Sequence, residues 1–198
     1  MKKKFQFLNE TDLESLVIEG TRIRLCPIEE IYAPIIFDEF DEDITHFMFP
    51  KPAEKIEETL AFIHSSREGI KGGFDLVFSI LEKSKKEFLG CCGFHGTEDT
   101  KIPELGIWIK KSAHGKKYGR EAITVLTQWA SENVDFDYLI YPVDKENIAS
   151  RKIPESLGGM VFQEKKVKTM RGTFLDEVVY KISKETLNHN KAMERNFE

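Results

Sequence analysis

The apolar positions of this chain recur with two periods, and the switches between them mark its elements. Thr21 to Cys26, TRIRLC, alternates like a strand with one buried face. Pro27-Ile28-Glu29-Glu30 then opens a helix with proline in its first turn, and that helix runs out into Asp38, Glu39, Asp41, Glu42 and Asp43. Pro50-Lys51-Pro52 interrupts the chain, and Ala53 to Arg67 resumes helical spacing through Ile56, Leu60 and Ile63. After a Gly72-Gly73 turn, Phe74 to Leu81 and Phe88 to His95 read as hairpin arms around the charged turn EKSKKE. The polar turn GTEDTK leads to a strand from Glu104 to Ile109. A basic loop follows, then an amphipathic helix from Tyr118 to Asn133, with Ala122, Val125, Leu126 and Trp129 on one face. Asp137 to Tyr141 is a short strand ended by Pro142. Asn147 to Leu157 is a helix capped by Asn147, closed by Gly158-Gly159 and kinked by Pro154. Met160 to Lys168 and Phe174 to Ile182 form a last hairpin around Arg171-Gly172.

The order β-α-α-β-β-β-α-β-α-β-β predicts an α/β fold: a mixed sheet with helices on both sides. Residues 1–17 read as a polar lead-in, 18–183 as one folded domain and 184–198 as a polar tail. A chain of 198 residues, 40% hydrophobic and with 15 phenylalanines, has enough apolar surface for one substantial core and is not a disordered polymer. Its apolar runs are too short to span a bilayer, and the MKKKFQFLNE start lacks the apolar segment of a signal peptide. Cys26, Cys91 and Cys92 form neither a disulfide framework nor a zinc pattern, which fits a reducing cytoplasm. His46, His64 and His95 have no metal-ligand spacing and read as core or surface residues, so no metal is expected.

The net charge of −5 argues against a general nucleic-acid binder. Against that balance, the loop after the Glu104 strand concentrates Lys110, Lys111, Lys116, Lys117 and Arg120. A strand leading through a glycine-bearing basic loop into a helix N-terminus presents unpaired N–H groups and positive charge together. That combination suits a phosphate-bearing ligand.

This loop, His114-Gly115-Lys116-Lys117-Tyr118-Gly119, resembles the Gln/Arg-x-x-Gly-x-Gly/Ala loop of the GNAT superfamily of acyl-CoA-dependent N-acyltransferases. Its last glycine matches, while histidine takes the first position and Lys117 the middle glycine. The flanks are similar to the branch that acetylates ribosomal-protein N-termini. Glu104-Leu105-Gly106-Ile107-Trp108-Ile109 resembles its ELGYWL strand, and Glu121-Ala122 the EA after its loop. Asn147 and Ser150 through Glu155 and Gly158 resemble its N-x-x-S…E-x-x-G helix, and TRIRLCPI its opening strand.

The resemblance implies a single-domain GNAT fold with a mostly antiparallel sheet of about six to seven strands. It also implies transfer of acetyl from acetyl-CoA to a primary amine in a direct ternary complex. Gly115, Lys116, Lys117, Tyr118, Gly119 and Arg120, with His114, would hold the phosphates. The backbone N–H groups of Leu105 to Ile109 would polarise the thioester carbonyl, with Ile107, Trp108 and Ile109 at the cofactor, and Asn147 and Ser150 would border it. By the same resemblance Glu104 would deprotonate the amine and Ser150 would protonate the departing thiolate or bond its sulfur. The acceptor would be a protein N-terminus, a small-molecule amine or a lysine side chain. No nucleic-acid or membrane partner is expected, and the protein would be a monomer or homodimer. The competing reading is a non-catalytic acyl-CoA-binding module that regulates a partner.

Overall fold

The computed structural model describes residues 3–96 and 99–188. In chain order the elements are β1 (Gln6–Phe7), β2 (Ile18–Glu19), β3 (Ile23–Pro27), α1 (Ala33–Glu39), α2 (Glu42–Thr45), α3 (Ile56–Gly72), β4 (Asp75–Glu82), β5 (Phe88–His95), β6 (Glu104–Ile109), α4 (Tyr118–Asn133), β7 (Val134–Asp135), β8 (Tyr138–Asp144), α5 (Ile148–Ser156), β9 (Met160–Lys168) and β10 (Phe174–Ser183). Single 3-10 turns, Glu30–Tyr32 and Lys111–Ala113, precede α1 and follow β6.

Eight strands form one sheet in the order β2-β3-β4-β5-β6-β8-β10-β9. Every neighbouring pair is antiparallel except β6 and β8. The strand beyond the expected count is the two-residue β2, while β1 and β7 form a separate ribbon. Helices α4 and α5 cover one face. Ala122, Ile123, Leu126 and Ala130 of α4 are fully buried, whereas Val125 and Trp129 lie at the edge of that stripe. The other face lies under α1 and α3, where the Trp108 ring meets Phe40 and Phe88.

Several local expectations change. Pro27 ends β3, and the first-turn proline is Pro34 of α1. The acidic stretch is not one frayed helix end. Asp41 accepts a bond from the Ile44 amide at 2.9 Å and starts α2 as its N-cap. Pro142 does not end its strand. The Ile140 amide points to β6, bonding the Pro103 carbonyl, so two residues on the nitrogen of Pro142 points the same way. Pairing with β6 has already stopped there, and no ladder bond is lost. The lead-in is tied down: Phe5 is buried, its amide bonds the Gly73 carbonyl, and β1 pairs with β7. The tail begins as a helical turn over residues 184–188 that buries Leu187, and its remainder lies outside the described residues, as do two residues of the GTEDTK turn.

Candidate active site

Strands β6 and β8 share one parallel bridge, Glu104 opposite Ile140, and no pair beyond it among the described residues. Both strands continue, so the sheet opens into a cleft whose closed end is Glu104. The ladder on the other edge of β6 sets what faces this cleft. The Lys110 amide bonds the Leu89 carbonyl, so Trp108 and Gly106, two and four residues back, also turn their peptide groups toward β5. The peptide groups of Ile107 and Ile109 therefore face the cleft. The Ile109 carbonyl accepts from His114 Nε2 at 2.6 Å. Of the amides expected between Leu105 and Ile109, those of Ile107 and Ile109 face the cleft by geometry, Leu105 turns the same way but lies at the β6–β8 bridge, and Gly106 faces β5. Trp108 bonds across to Cys91 and contributes its ring to the opposite face.

The basic loop closes the wide end. Lys117 is the N-cap of α4, with φ +64°, and among the described residues no side chain caps this helix. The first amide bonded back along the helix is that of Glu121, to the Lys117 carbonyl at 3.1 Å. The N–H groups of Tyr118, Gly119 and Arg120 precede it and carry the positive end of a 16-residue helix. Gly115 sits at φ +76°, in space where an added Cβ meets nothing within 4 Å. The five cations separate into two groups. Lys110 is buried against Glu87 at 2.7 Å, and Lys111 pairs with Asp43. Lys116, Lys117 and Arg120 enter no ion pair found among the described residues. An uncapped helix mouth, unpaired cations and a backbone-lined cleft fit a phosphate-bearing thioester such as acetyl-CoA.

Glu121 fixes the loop from behind. Its carboxylate accepts from the Arg22 backbone amide at 2.6 Å and from Arg22 Nε at 2.8 Å, and Arg22 Nη1 bonds the Lys116 carbonyl at 3.0 Å. The matched Glu-Ala pair thus braces the loop against β3. Lys117 occupies a left-handed conformation that costs a side-chain-bearing residue about 1–2 kcal/mol. Lys117→Gly should raise stability by about 1 kcal/mol while acetyl-CoA affinity stays within about tenfold, read by thermal unfolding and titration calorimetry.

The α5 side of the cleft carries hydroxyls. Asn147 is the N-cap of α5, accepting from the Ser150 amide at 3.1 Å. Ser150 Oγ lies 2.8 Å from the hydroxyl of Tyr141 on β8. Burial pushes the Tyr141 phenol up to about 12, so it stays protonated at neutral pH. Sequence reasoning missed this tyrosine because it lies nine positions before Ser150, on another element. Pro154 removes the N–H that would have bonded the Ser150 carbonyl. Arg151 bonds the Tyr180 hydroxyl at 3.0 Å and the Lys145 carbonyl, which anchors α5 to β10.

On the α1–α3 face, an open pocket of about 320 Å³ is lined by Asp43, Ile44, His46, Phe47, Lys111 and His114. Arg171, from the β9–β10 turn, borders it by holding Glu42 at 2.6 Å and the Thr45 carbonyl at 2.5 Å. The acidic stretch is thus largely structural: Asp41 caps, Glu42 holds Arg171 and Asp43 pairs with Lys111, which keeps its carboxyl below the usual range. Cys91 and Cys92 are buried in β5 with thiols pushed up by desolvation, the opposite of an activated nucleophile. Among the described residues no group of three His, Cys, Asp or Glu side chains is placed to hold a metal. No helix there is long and apolar enough to cross a membrane.

Known proteins share this architecture. A curated relative, the uncharacterized N-acetyltransferase p20 of Bacillus licheniformis, is 24% identical over 147 residues, covering 73% of this chain and 82% of its own. A Salmonella typhimurium acetyltransferase that modifies the N-terminal serine of ribosomal protein L7/L12 superposes with a TM-score of 0.74 at 15% identity, over 85% of this chain and 99% of that one. The RimL ribosomal L7/L12 alpha-N-protein acetyltransferase in complex with coenzyme A gives 0.75 at 15% identity, over 85% and 98%. The model of the acetyltransferase (GNAT) domain family matches residues 22–160, and the chain, with its cleft between β6 and β8 and its open α4 mouth, belongs to that family of acetyl-CoA-dependent enzymes.

Proposed function

We propose that the protein transfers acetyl from acetyl-CoA to the α-amine of a protein N-terminus, with a small-molecule amine and then a lysine side chain as the next acceptor classes. The observation that carries this reading is the β6–β8 cleft, open from the uncapped α4 mouth down to Glu104. The fold shared with acetyltransferases that act on the N-terminus of ribosomal protein L7/L12 ranks the acceptors.

Acetyl-CoA supplies an activated thioester. The chain supplies the rest. Gly115, Lys116, Lys117, Tyr118, Gly119 and Arg120 would bind phosphate through amides and unpaired cations. The Ile107 and Ile109 amides would polarise the thioester carbonyl, a role worth about 3–4 kcal/mol per donor in other acyl transfers. Glu104 would serve the amine side and Ser150, 2.8 Å from the Tyr141 hydroxyl, the sulfur side. Positioning of the two reactants contributes most of the acceleration. The free thiols Cys26, Cys91 and Cys92 agree with a reducing compartment.

The test is thiol release from acetyl-CoA across a panel of N-terminal peptides, polyamines, amino acids and lysine peptides. Acetyl-CoA itself should raise the melting temperature by mass action, as should desulfo-coenzyme A, with ADP weaker. No melting shift and no calorimetric heat at millimolar acetyl-CoA sinks the reading. Heat of binding without thiol release from any amine would favour the regulatory module instead.

A further inference from the structure

We infer that His95, oriented by Asp75, is the group that takes the proton from the attacking amine, resting on the acetyl-transfer reading above. Asp75, His95 and Glu104 stand in register on three successive strands, β4, β5 and β6, so their side chains share the α1–α3 face of the sheet. His95 Nδ1 lies 2.5 Å from Asp75 Oδ1. A carboxylate at Nδ1 fixes the proton there and leaves the Nε2 lone pair as the acceptor. Nε2 has no hydrogen-bond partner among the described residues, and the side chain keeps 30% of its surface open.

The direction of the ring decides between His95 and Glu104. Glu104 is at the closed end of the cleft, at the β6–β8 bridge. His95 starts beside it but folds back along β5. Its Nε2 would lie 2.0 Å from a Cβ at Gly93 and 3.0 Å from one at Gly106. Any other residue at Gly93 would displace the ring. Those two glycines face each other across β5 and β6, so the imidazole lies flat over both strands. It thereby reaches the level of Gly106, next to the Ile107 peptide that faces the cleft. The titratable groups in register beside it are Asp75 from β4 and Glu104 from β6, and from α3 the uncharged Gly69 packs against Asp75.

The ammonium R–NH₃⁺ gives one proton to Nε2, forming imidazolium held by the Asp75 carboxylate. The freed amine nitrogen forms the C–N bond to the thioester carbon, the C–S bond breaks, and the sulfur leaves as thiolate. The second amine proton goes to that thiolate or to solvent, and the imidazolium returns its proton to solvent. Glu104, one strand over, draws the cationic amine in.

The experiment compares His95→Ala, His95→Gln, Asp75→Asn and Glu104→Gln with wild type, measuring kcat and amine KM from pH 6 to 10 and acetyl-CoA affinity by calorimetry. His95→Ala should lower kcat near pH 7 by about a hundredfold or more at unchanged acetyl-CoA affinity. The defect should shrink as pH rises and free amine becomes abundant, and added imidazole should restore part of the rate. Asp75→Asn should lose less, and Glu104→Gln should raise amine KM more than it lowers kcat. Should His95→Ala fail to fold, His95→Gln carries the same comparison. A kcat within about twofold of wild type at pH 7 overturns the assignment. So does a loss that is flat with pH and insensitive to imidazole. A wild type inactive with every amine fails the acetyl-transfer reading and this assignment with it, whereas an active wild type matched by its His95 variants fails this assignment alone.

Discussion

Gly115→Asp should abolish measurable acetyl-CoA binding and leave the fold in place. The position is suited to the test because an added Cβ meets nothing within 4 Å, so no packing is lost. At φ +76° any side chain is strained, but Asp tolerates the left-handed region better than most, and the cost is about 1 kcal/mol. The new carboxylate would sit at the mouth that offers the Tyr118, Gly119 and Arg120 amides, occupy them, and repel phosphate. Affinity should fall by more than about a hundredfold, or about 2.7 kcal/mol, while the melting temperature without ligand moves by only a few degrees. Gly119→Asp is a poorer probe. Gly119 packs at 3.4–3.5 Å against Ile107, Ile109 and Ile153, so a carboxylate there is buried among isoleucines and destabilises the fold as well. Titration calorimetry against Gly115→Asp reads the outcome. Unchanged affinity would place the phosphates elsewhere.

Ser150→Ala should lower kcat by about a hundredfold or more with acetyl-CoA affinity nearly intact, because a bond to the departing sulfur matters mainly in the transition state. Its partner sharpens the test. If Ser150 acts through a proton or orientation supplied by the buried Tyr141 hydroxyl, Tyr141→Phe should also reduce kcat. The double variant should then be little worse than Ser150→Ala alone, since both remove one unit. Independent, additive losses would break the pair. The pH dependence has a definite sign. The Tyr141 phenol stands at about 12 in the folded protein against a reference of 10, so it remains a donor throughout pH 6 to 9. The stability tied to it is fully present below pH 10 and lost as pH rises through about 12, because the unfolded chain ionises first. A rate limb that follows Tyr141 should therefore be absent from the assay range.

Much of the site is written locally. The β6 strand, the basic loop and α4 stand where alternation, charge and the 3.6 period place them, with β5, β6 and α4 beginning and ending at the expected residues. A left-handed conformation at Lys117 follows from the glycine that the resembling loop carries there. The failures are at positions where a distant partner outweighs local preference. Pro142 reads as a stop, yet it continues β8 because its missing N–H faces a cleft. Five lysines and arginines look alike along the loop, but Glu87 and Asp43, remote in sequence, claim two of them. His95 reads as one isolated histidine, and only the β4–β5 register brings Asp75 to its Nδ1.

The amino-acid order by itself determined the alternation of strands and helices, the basic loop before α4 and the residues at each end of the cleft. These depend on periodicity, turn chemistry and charge within a few positions. The pairing of strands decided the rest. A single β6–β8 bridge opens the cleft, and the edge-to-edge alternation of β6 selects Ile107 and Ile109 over Trp108. Register across β4, β5 and β6 sets Asp75, His95 and Glu104 in one row, and the approach of α5 to β8 joins Ser150 to Tyr141. Hydrogen-bond register and helix packing act between residues on different elements, nine or more positions apart, and no local pattern encodes them.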